Sequence, residues 1–288
     1  MGTKGDLVLP CPLKIIMVNE ASADTKIRVE SVSKSFDVDG RRQLVLDDIK
    51  LTVGEGEFVS IIGPSGCGKS TLLNIVAGLD SADSGTTSVE GTQGSSSLGQ
   101  VGYMQQKDLL LPWRTVLDNT ILGLELAGVP KRQARSRALE LTETFGLDGF
   151  EGQYPYALSG GMRQRAAFLR TMLMDQEVIL LDEPFGALDA LTRVQMQEWL
   201  LQLWDSLRKT IVLITHDMDE AILLSDRVYV LTPRPGRIAT ILEVDLPRPR
   251  SYEQVTAPAF SRLKSRLLKH LREEKPEEPR SLTGGVGL

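Results

Sequence analysis

"GPSGCGKS", residues 63–70, is the stretch that decides how this chain folds. It matches the spacing G-x-x-x-x-G-K-[ST] and lies between an apolar run, "EFVSIIG" (57–63), and a helical pattern, "STLLNIVAGL" (70–79). Glycines let such a loop turn its amides inward, and the helix start adds a positive dipole end that attracts phosphate. Lys69 is expected to bind the outer phosphates and the Ser70 hydroxyl to bind Mg²⁺. The predicted ligand-binding residues here are Gly63, Pro64, Ser65, Gly66, Cys67, Gly68, Lys69, Ser70 and Thr71.

Four apolar runs predict a mostly parallel β-sheet. They are "EFVSIIG" (57–63), "QVGYMQQ" (100–106), "EVILLDEP" (177–184) and "TIVLITHD" (210–217). Near-continuous Val, Ile and Leu residues are typical of strands that are buried on both faces and covered by helices. Ligands of such sheets bind beyond the carboxyl ends of the strands. We therefore expect an α/β fold whose site is built by the polar residues that follow these runs.

Three polar residues follow two of these strands. Asp182 and Glu183 end "VILLDE", and His216 follows "IVLIT". A strand-end aspartate beside a phosphate loop can hold Mg²⁺ directly or through water, and the adjacent glutamate is a candidate general base for an attacking water. A lone histidine is often structural, but at the same sheet edge His216 is predicted to contact the γ-phosphate and to orient Glu183. The alternatives are solvated strand-end acids for Asp182 and Glu183 and a structural residue for His216.

The composition limits the class of protein. The chain has 288 residues and a formal net charge of −5, which argues against broad attraction to nucleic acid. Its two cysteines, Cys11 and Cys67, are far apart and support neither a disulfide framework nor a zinc site. No apolar run reaches the length of about 20 residues that a membrane-spanning helix needs. The N-terminal apolar stretch is interrupted by prolines and a lysine, so we do not interpret it as a signal peptide.

The chain divides into three predicted segments. Residues 1–26 are expected to be a flexible extension, residues 27–250 the main domain with an inserted helical subdomain at about 107–175, and residues 251–288 a helix with a disordered tail. A second helix is expected at 193–208, with its tryptophans in the core. The C-terminal helix places four apolar side chains on one face: Phe260, Leu263, Leu267 and Leu271. Packing of this face on the domain is favoured over contact with anionic lipid.

The stretch "LSGGMRQR" (158–165) completes a set of motifs. Together with the phosphate loop, Gln106, "LLDEP" (180–184), "ALD" (187–189) and His216, in this order, it resembles the ATP-binding subunit of an ABC transporter over residues 27–250. The resemblance implies a P-loop NTPase fold with a mostly parallel core sheet, an antiparallel β portion near the N-terminus and an inserted α-helical subdomain. It also implies ATP hydrolysis with ATP and Mg²⁺ as the bound groups.

In this family the signature stretch faces the ATP that a second subunit holds. Ser159 and the amides of Gly160 and Gly161 stand at a helix start, where an anion is stabilised. The helix behind them presents Ala166, Leu169 and Leu173 for packing. The resemblance therefore implies a head-to-tail homodimer with two shared nucleotide sites.

The resemblance assigns roles to three further residues. Phe36 falls where the family stacks an aromatic ring on adenine, although a core phenylalanine is the alternative. Gln106, chosen over Gln105 by its distance from "LLPWRTV", falls at the loop that senses Mg²⁺ and water and links the site to the membrane subunit. Asp189 falls where the family contacts the partner subunit.

Three stretches resemble one importer branch of the family, which serves nitrate, sulfonates, taurine, bicarbonate and pyrimidine precursors. They are "LLPWRTVLDN" (110–119), "DEPFGALDALTR" (182–193) and "PRPGRIATILEVDLPRPR" (233–250). The alternative for the last of these is a strand followed by a proline-arginine linker. The implied partners are an integral membrane permease and, indirectly, an extracytoplasmic solute-binding protein, with the chain at the cytoplasmic face of the inner membrane and no nucleic acid bound. The alternatives are the ATPase of a lipid or lipoprotein export system and an ABC ATPase of DNA repair. The latter would need heptad segments or zinc cysteines, which the sequence lacks.

Cys67 lies inside the phosphate loop and has no predicted catalytic role. The positive field of the loop is expected to lower its pKa, because cations favour the thiolate. On this hypothesis thiol reagents block ATP hydrolysis and ATP protects. Met162, where the family more commonly has Gln, departs from the signature without removing a phosphate contact.

Overall fold

A computed structural model of the protein describes residues 25–93 and 98–273. The strands in this part of the chain are β1 (Thr25–Val38), β2 (Arg41–Gly54), β3 (Phe58–Ile62), β4 (Ser84–Val89), β5 (Thr92–Gln93), β6 (Val101–Met104), β7 (Val178–Asp182), β8 (Thr210–Ile214), β9 (Arg227–Leu231) and β10 (Ile238–Glu243). The α-helices are α1 (Lys69–Val76), α2 (Val116–Thr120), α3 (Leu122–Leu126), α4 (Lys131–Thr142), α5 (Gly160–Met172), α6 (Ala190–Leu207), α7 (Met218–Leu224) and α8 (Pro258–Glu273). Of the expected N-terminal extension (1–26), residues 1–24 lie outside the described residues, whereas Thr25 and Lys26 already belong to β1. The expected tail from residue 274 also lies outside them.

The four predicted strands are confirmed as neighbours in one sheet. Its strand order is β10-β9-β3-β8-β7-β6, and all pairs are parallel except β10 with β9. Along β3, Phe58 and Ile62 enter the apolar core on one face of the sheet, whereas Val59 and Ile61 enter the core on the other. This alternation explains why the strand sequences are apolar at nearly every position. Ile61 of β3 and Asp182 of β7 both pair with Ile214 of β8, which lies between them. The strand ends that bear polar side chains therefore share one edge of the sheet.

A second sheet packs beside the first. It is antiparallel, with the order β2-β1-β4-β5, as the family resemblance implies. Its buried residues, among them Ile27, Leu46 and Ile49, join α1 in the core on one face of the parallel sheet. Because β2 passes close to the phosphate loop, this sheet helps to position the site.

Helices α2 to α5 lie between β6 and β7 in the chain. Helix α5 buries Ala166 and Leu169 completely and Leu173 almost completely, as predicted. The ring of Phe145 meets that of Trp199 on α6 at 4.5 Å between centroids, in an edge-to-face arrangement that aromatic pairs favour. Trp204 is buried, whereas Trp199 is only half-buried. The helix that carries the signature is thus fixed firmly against the sheet.

The C-terminal helix packs on the domain. Phe260, Leu263 and Leu267 of α8 are buried in the main core, and Lys264 Nζ lies 2.7 Å from Asp219 Oδ1 at the start of α7. The apolar face is therefore covered by protein, which supports the predicted packing over contact with lipid. Within residues 25–93 and 98–273 no helix combines the length and apolar character that crossing a membrane requires.

The proline-arginine segment after β10 is held closely to the domain, which a simple linker would not require. The Arg250 guanidinium is buried and donates hydrogen bonds to five backbone carbonyls, three at the end of α7 (Ile222, Leu223 and Ser225) and two just after β10 (Val244 and Leu246). Burial lowers the pKa of Arg250 to about 10. Arg248 stacks on the Trp204 ring with Cζ 3.7 Å from the centroid. These arginines fix the path of the chain from the sheet to α8.

Candidate active site

The phosphate loop joins the carboxyl end of β3 to the start of α1. Gly68 precedes the helix with a φ of +106°, and Gly66 has a φ of +76°. A Cβ atom at Gly68 would lie 2.6 Å from Leu46 Cδ2, which is closer than carbon atoms approach. The glycine spacing of the motif is therefore required both by the backbone conformation and by the contact with β2.

The Lys69 ammonium is held inside this loop. Its Nζ donates to the carbonyl oxygens of Gly63 at 2.8 Å and Pro64 at 3.0 Å. The residue is buried, so its charge is screened less than that of a surface lysine. A phosphate oxygen entering the loop would meet a positive charge that is already in position.

Asp182 and Ser70 form the second part of the site. Asp182 is 2% exposed at the end of β7, and burial raises the pKa of its carboxyl group while a hydrogen bond from Ser70 acts in the opposite direction. Its buried Oδ1 has no hydrogen-bond partner among the described residues. An unpartnered carboxylate oxygen beside a serine hydroxyl is an oxygen donor set that Mg²⁺ prefers. The residues present therefore fit the predicted metal.

Glu183, Gln106 and His216 meet at the same sheet edge. Gln106 Nε2 donates to Glu183 Oε2 at 3.1 Å, and His216 Nδ1 lies 3.7 Å from the same oxygen. His216 is 64% exposed, so its ring is free to reach a ligand as well. The contact with Glu183 also favours Gln106 over Gln105 as the loop glutamine. Two residues that are far from Glu183 in sequence thus approach the same oxygen of its carboxylate.

These groups border an open cleft of about 210 Å³. The residues that line it are Val45, Ser65, Gly66, Gly68, Lys69, Ser70, Thr71, Gln106, Glu183 and Arg234. Asp182 and His216 do not line the cleft, but each contacts a residue that does. Asp182 accepts a hydrogen bond from Ser70, and His216 lies beside Glu183. The geometry therefore brings the predicted phosphate-loop residues and strand-end acids to one site.

Two residues of the cleft were not predicted as site residues. Val45 lies on β2, and Arg234 lies in the turn after β9, 168 residues from its partner Gly66. Arg234 belongs to the "PRPGR" stretch that stood out only by its family resemblance. Its proximity to the loop depends on β9 pairing with β3, which local sequence does not reveal.

The predicted chemistry of Cys67 is wrong. Its side chain is turned into the core and is 1% exposed. Burial raises the pKa of the thiol and outweighs the nearby charge of Lys69, which acts in the opposite direction. A buried neutral thiol is a poor nucleophile, so the structure gives no basis for ready attack by thiol reagents.

Phe36 lies on β1 and is 38% exposed, so the core alternative for it is wrong. The Lys34 ammonium lies 5.0 Å from the centre of its ring, which keeps one face of the ring in a cationic environment. The ring does not line the cleft around the phosphate loop. Its predicted contact with adenine stays a prediction.

The signature residues do not line the cleft of their own chain. The Ser159 side chain caps α5 by accepting a hydrogen bond from the Met162 amide at 3.2 Å, and both Ser159 and Gly160 are exposed at the helix start. Gly161 follows in the first turn. Asp189 caps α6 in the same way, and hydrogen bonds from Thr192 hold the pKa of Asp189 below its usual value. The residues at these two exposed helix starts are not among those that line the cleft of the same chain.

Comparison with known proteins identifies the family. The family model described as "ABC transporter" matches residues 46–186. The aliphatic sulfonates import ATP-binding protein of Bacillus licheniformis is 44% identical over 88% of this chain and 96% of its own length. The taurine import ATP-binding protein of Rhizobium johnstonii is 46% identical over 73% of this chain and 80% of its own length.

A solved structure agrees with these relatives. A dimeric ATP-binding cassette in a post-hydrolysis state, bound to ADP and Pi, has 30% sequence identity and a TM-score of 0.69, and the match covers 76% of this chain and 98% of the other. The P-loop NTPase fold and the importer-branch resemblance predicted from the sequence are confirmed. The chain therefore belongs to the ABC transporter family, as an ATP-binding and ATP-hydrolysing member.

Proposed function

We propose that the chain is the ATPase subunit of an ABC importer for a small solute of the sulfonate, taurine, nitrate, bicarbonate or pyrimidine-precursor type. The observation that carries ATP hydrolysis is the meeting of Gln106, Glu183 and His216 at the end of the phosphate-loop cleft. Import is supported by the sulfonate and taurine import ATP-binding proteins, which match most of the chain. The solute itself would pass through a separate membrane permease.

Nucleotide binding begins at the phosphate loop. The buried Lys69 ammonium and the loop amides bind the phosphate chain, while Phe36 stacks on the adenine. The residues that would hold Mg²⁺ are Ser70, Asp182 and Gln106, through the hydroxyl, the unpartnered carboxylate oxygen and the amide oxygen. When bound, Mg²⁺ would neutralise charge on the β- and γ-phosphates.

Hydrolysis then depends on the carboxylate of Glu183. This group accepts a proton from the attacking water, and the nearby Gln106 and His216 hold it in position. His216 is exposed enough to donate to the γ-phosphate at the same time. Lys69 stabilises the charge that develops on the transferred phosphoryl group. The protein's main contributions are thus orientation and a fixed positive field.

We propose further that two chains form a head-to-tail homodimer. Ser159, Gly160 and Gly161 of each chain face the phosphate loop of its partner, and Asp189 contacts the partner beside it. This arrangement is supported by the dimeric relative and by the exposure of the signature away from its own cleft. Closing the dimer on ATP draws the permease subunits together, and hydrolysis releases them.

The remaining parts of the proposal concern location and organisation. Residues 27–250 form the ATPase domain, with a helical subdomain at about 107–175 that meets the permease. The chain is peripheral at the cytoplasmic face of the inner membrane. A solute-binding protein outside the membrane delivers the solute without touching this chain.

Purification from gently solubilised native membranes tests the importer assignment. A tagged chain is expected to bring with it a multi-helix permease and a solute-binding protein, which mass spectrometry would identify, while the tag alone brings neither. The identified binding protein then provides the means of screening solutes. Recovery with proteins of a lipid export system, or with DNA-associated proteins, would contradict the proposal.

A further inference from the structure

The turn between β9 and β10 is packed directly against the phosphate loop. Gly236 donates its amide to Val45 O at 2.8 Å and accepts from the Asp47 amide at 3.0 Å, which ties the turn to β2. A Cβ atom at Gly236 would lie 2.2 Å from Cys67 O, so the turn approaches the loop more closely than a side chain would allow. The "PRPGR" stretch is therefore part of the wall of the nucleotide cleft.

Arg234 extends from this turn to the rim of the cleft. Its Nε and Nη2 atoms both donate to Gly66 O, at 3.0 and 2.8 Å. The side chain lines the same cleft as Lys69 and Ser70. A guanidinium group has five N–H donors, and these two bonds leave three for another acceptor. The geometry thus anchors the group without using up its donors.

The charge of Arg234 is not balanced in the way that its neighbours' charges are. Arg237, three residues later, pairs with Asp47 at 2.8 Å, and Arg248 pairs with Asp226 at 2.7 Å. Within the described residues Arg234 makes no ion pair with a carboxylate, and its recorded hydrogen bonds go to a neutral carbonyl. A guanidinium of this kind beside a phosphate loop is suited to a charge-assisted bond with an anion.

We infer that Arg234 is a further nucleotide-binding residue. One edge of its guanidinium fixes the Gly66 peptide, and the other donors bind the phosphate chain of ATP or ADP from the outer rim, opposite the buried Lys69. The inference rests on the proposed nucleotide site and adds to it a contact from the turn after β9. It also gives a physical role to the "PRPGR" stretch, which the hydrolysis mechanism does not use.

The matched test compares Arg234→Ala with Arg237→Ala. Both changes remove one arginine from the same turn, but only Arg234 lines the cleft. Isothermal titration with ATP and with ADP at fixed salt is expected to show that Arg234→Ala raises both Kd values by about tenfold, or about 1.4 kcal/mol. Arg237→Ala is expected to leave them within about twofold.

Two further variants separate the possible outcomes. Arg234→Gln can still donate to Gly66 O but has no charge, so it should bind ATP and ADP nearly as weakly as Arg234→Ala. Nucleotide binding at the wild-type level would mean that Arg234 only anchors the loop, and this result would overturn the inference. Lys69→Ala should lose nucleotide binding, and its failure to do so would instead refute the proposed nucleotide site. Equal weakening by Arg234→Ala and Arg237→Ala would indicate a general effect of charge and would also overturn the inference. Thermal unfolding without nucleotide checks that each variant is folded.

Discussion

Glu183 adopts a backbone conformation that residues other than glycine rarely adopt. Its φ is +51°, and its amide donates to Ile214 O on the neighbouring strand at 2.9 Å. Such a conformation costs on the order of 1–3 kcal/mol and persists only where the surroundings impose it. Its carbonyl also accepts from Gln164 of α5 at 3.2 Å. The strain turns the side chain out of β7 toward Gln106 and His216, where a general base is needed.

Replacing Glu183 by Gln should remove the base while leaving this geometry in place. The amide has the same shape but cannot accept the proton of the attacking water, so ATP turnover is expected to fall by about 10²–10⁴-fold. ATP binding should persist, and size-exclusion chromatography with ATP and Mg²⁺ should show an accumulated dimer. Glu140→Gln, at an exposed position on α4, is the control and should behave as wild type. Unchanged turnover in Glu183→Gln would contradict the assigned role.

At this scale the sequence indicates which residues bear the chemistry when they belong to contiguous motifs. Lys69 and Glu183 stand in short patterns whose spacing itself has a physical reason. The role of Arg234 and the protonation state of Cys67 do not follow from any short pattern, because each depends on contacts across the fold. Arg234 meets Gly66 only through strand pairing, and the Cys67 thiol is neutral because the loop turns it inward.

A buried carboxylate connects three elements behind the site. Glu220 on α7 accepts hydrogen bonds from Thr215, at the end of β8, and from Gln197 of α6, the latter at 3.0 Å. Arg193 of α6 lies 3.9 Å away and donates to Leu188 O, beside Asp189. Glu220 thus joins the segment that carries His216 to the helix that begins at Asp189.

The pH dependence of stability should report on this buried group. Burial raises the pKa of Glu220 from 4.5, outweighing the hydrogen bond from Thr215. The folded protein therefore holds the Glu220 proton more tightly than the unfolded chain does. The contribution of this group to stability is fully present below pH 4.5 and is lost as the pH rises through the folded-state pKa. Glu220→Gln should therefore become more stable relative to wild type as the pH increases, by at most about 1.4 kcal/mol per pH unit.

Urea unfolding of wild type and of Glu220→Gln at a series of pH values from 4.5 upward measures the difference between their free energies of unfolding. Glu140→Gln serves as the control, because it removes a glutamate from the exposed surface of α4 and not from the buried Glu220 network. A pH-independent difference for Glu220→Gln would mean that Glu220 titrates alike in the folded and unfolded states. Buried polar networks of this kind are not evident from the sequence, because each partner comes from a different element.

Elements with strong internal patterns were the ones that could be predicted. The strands β3, β6, β7 and β8 appear as nearly continuous apolar runs because both of their faces are buried. The segment from Pro247 to Arg250 has no such pattern, and its composition suggests a linker. Its fixed path comes from one buried guanidinium that bonds to five carbonyls, which is a tertiary effect.

At the scale of the whole molecule, the signature stretch does not line the phosphate-loop cleft of its own chain. The phosphate loop, Asp182 and Glu183 lie at one edge of the parallel sheet, whereas Ser159 lies exposed at the start of α5 and does not line that cleft. The family resemblance predicts that the signature instead faces the nucleotide of a second chain. The spacing of motifs within one chain could not predict this position of the signature, because the position is defined relative to a second chain.

If two chains share each site, two different defects should complement one another. Lys69→Ala removes the phosphate-loop charge, and Ser159→Arg blocks the signature, so neither homodimer should hydrolyse ATP. A heterodimer of the two has one intact site, made from the loop of the second chain and the signature of the first, and an equal mixture should regain up to roughly a quarter of wild-type turnover. Mixing Lys69→Ala with a Lys69→Ala, Ser159→Arg double variant should regain nothing, because no intact loop is present. Failure of the first mixture to recover, despite subunit exchange shown by differently tagged chains, would refute a shared site.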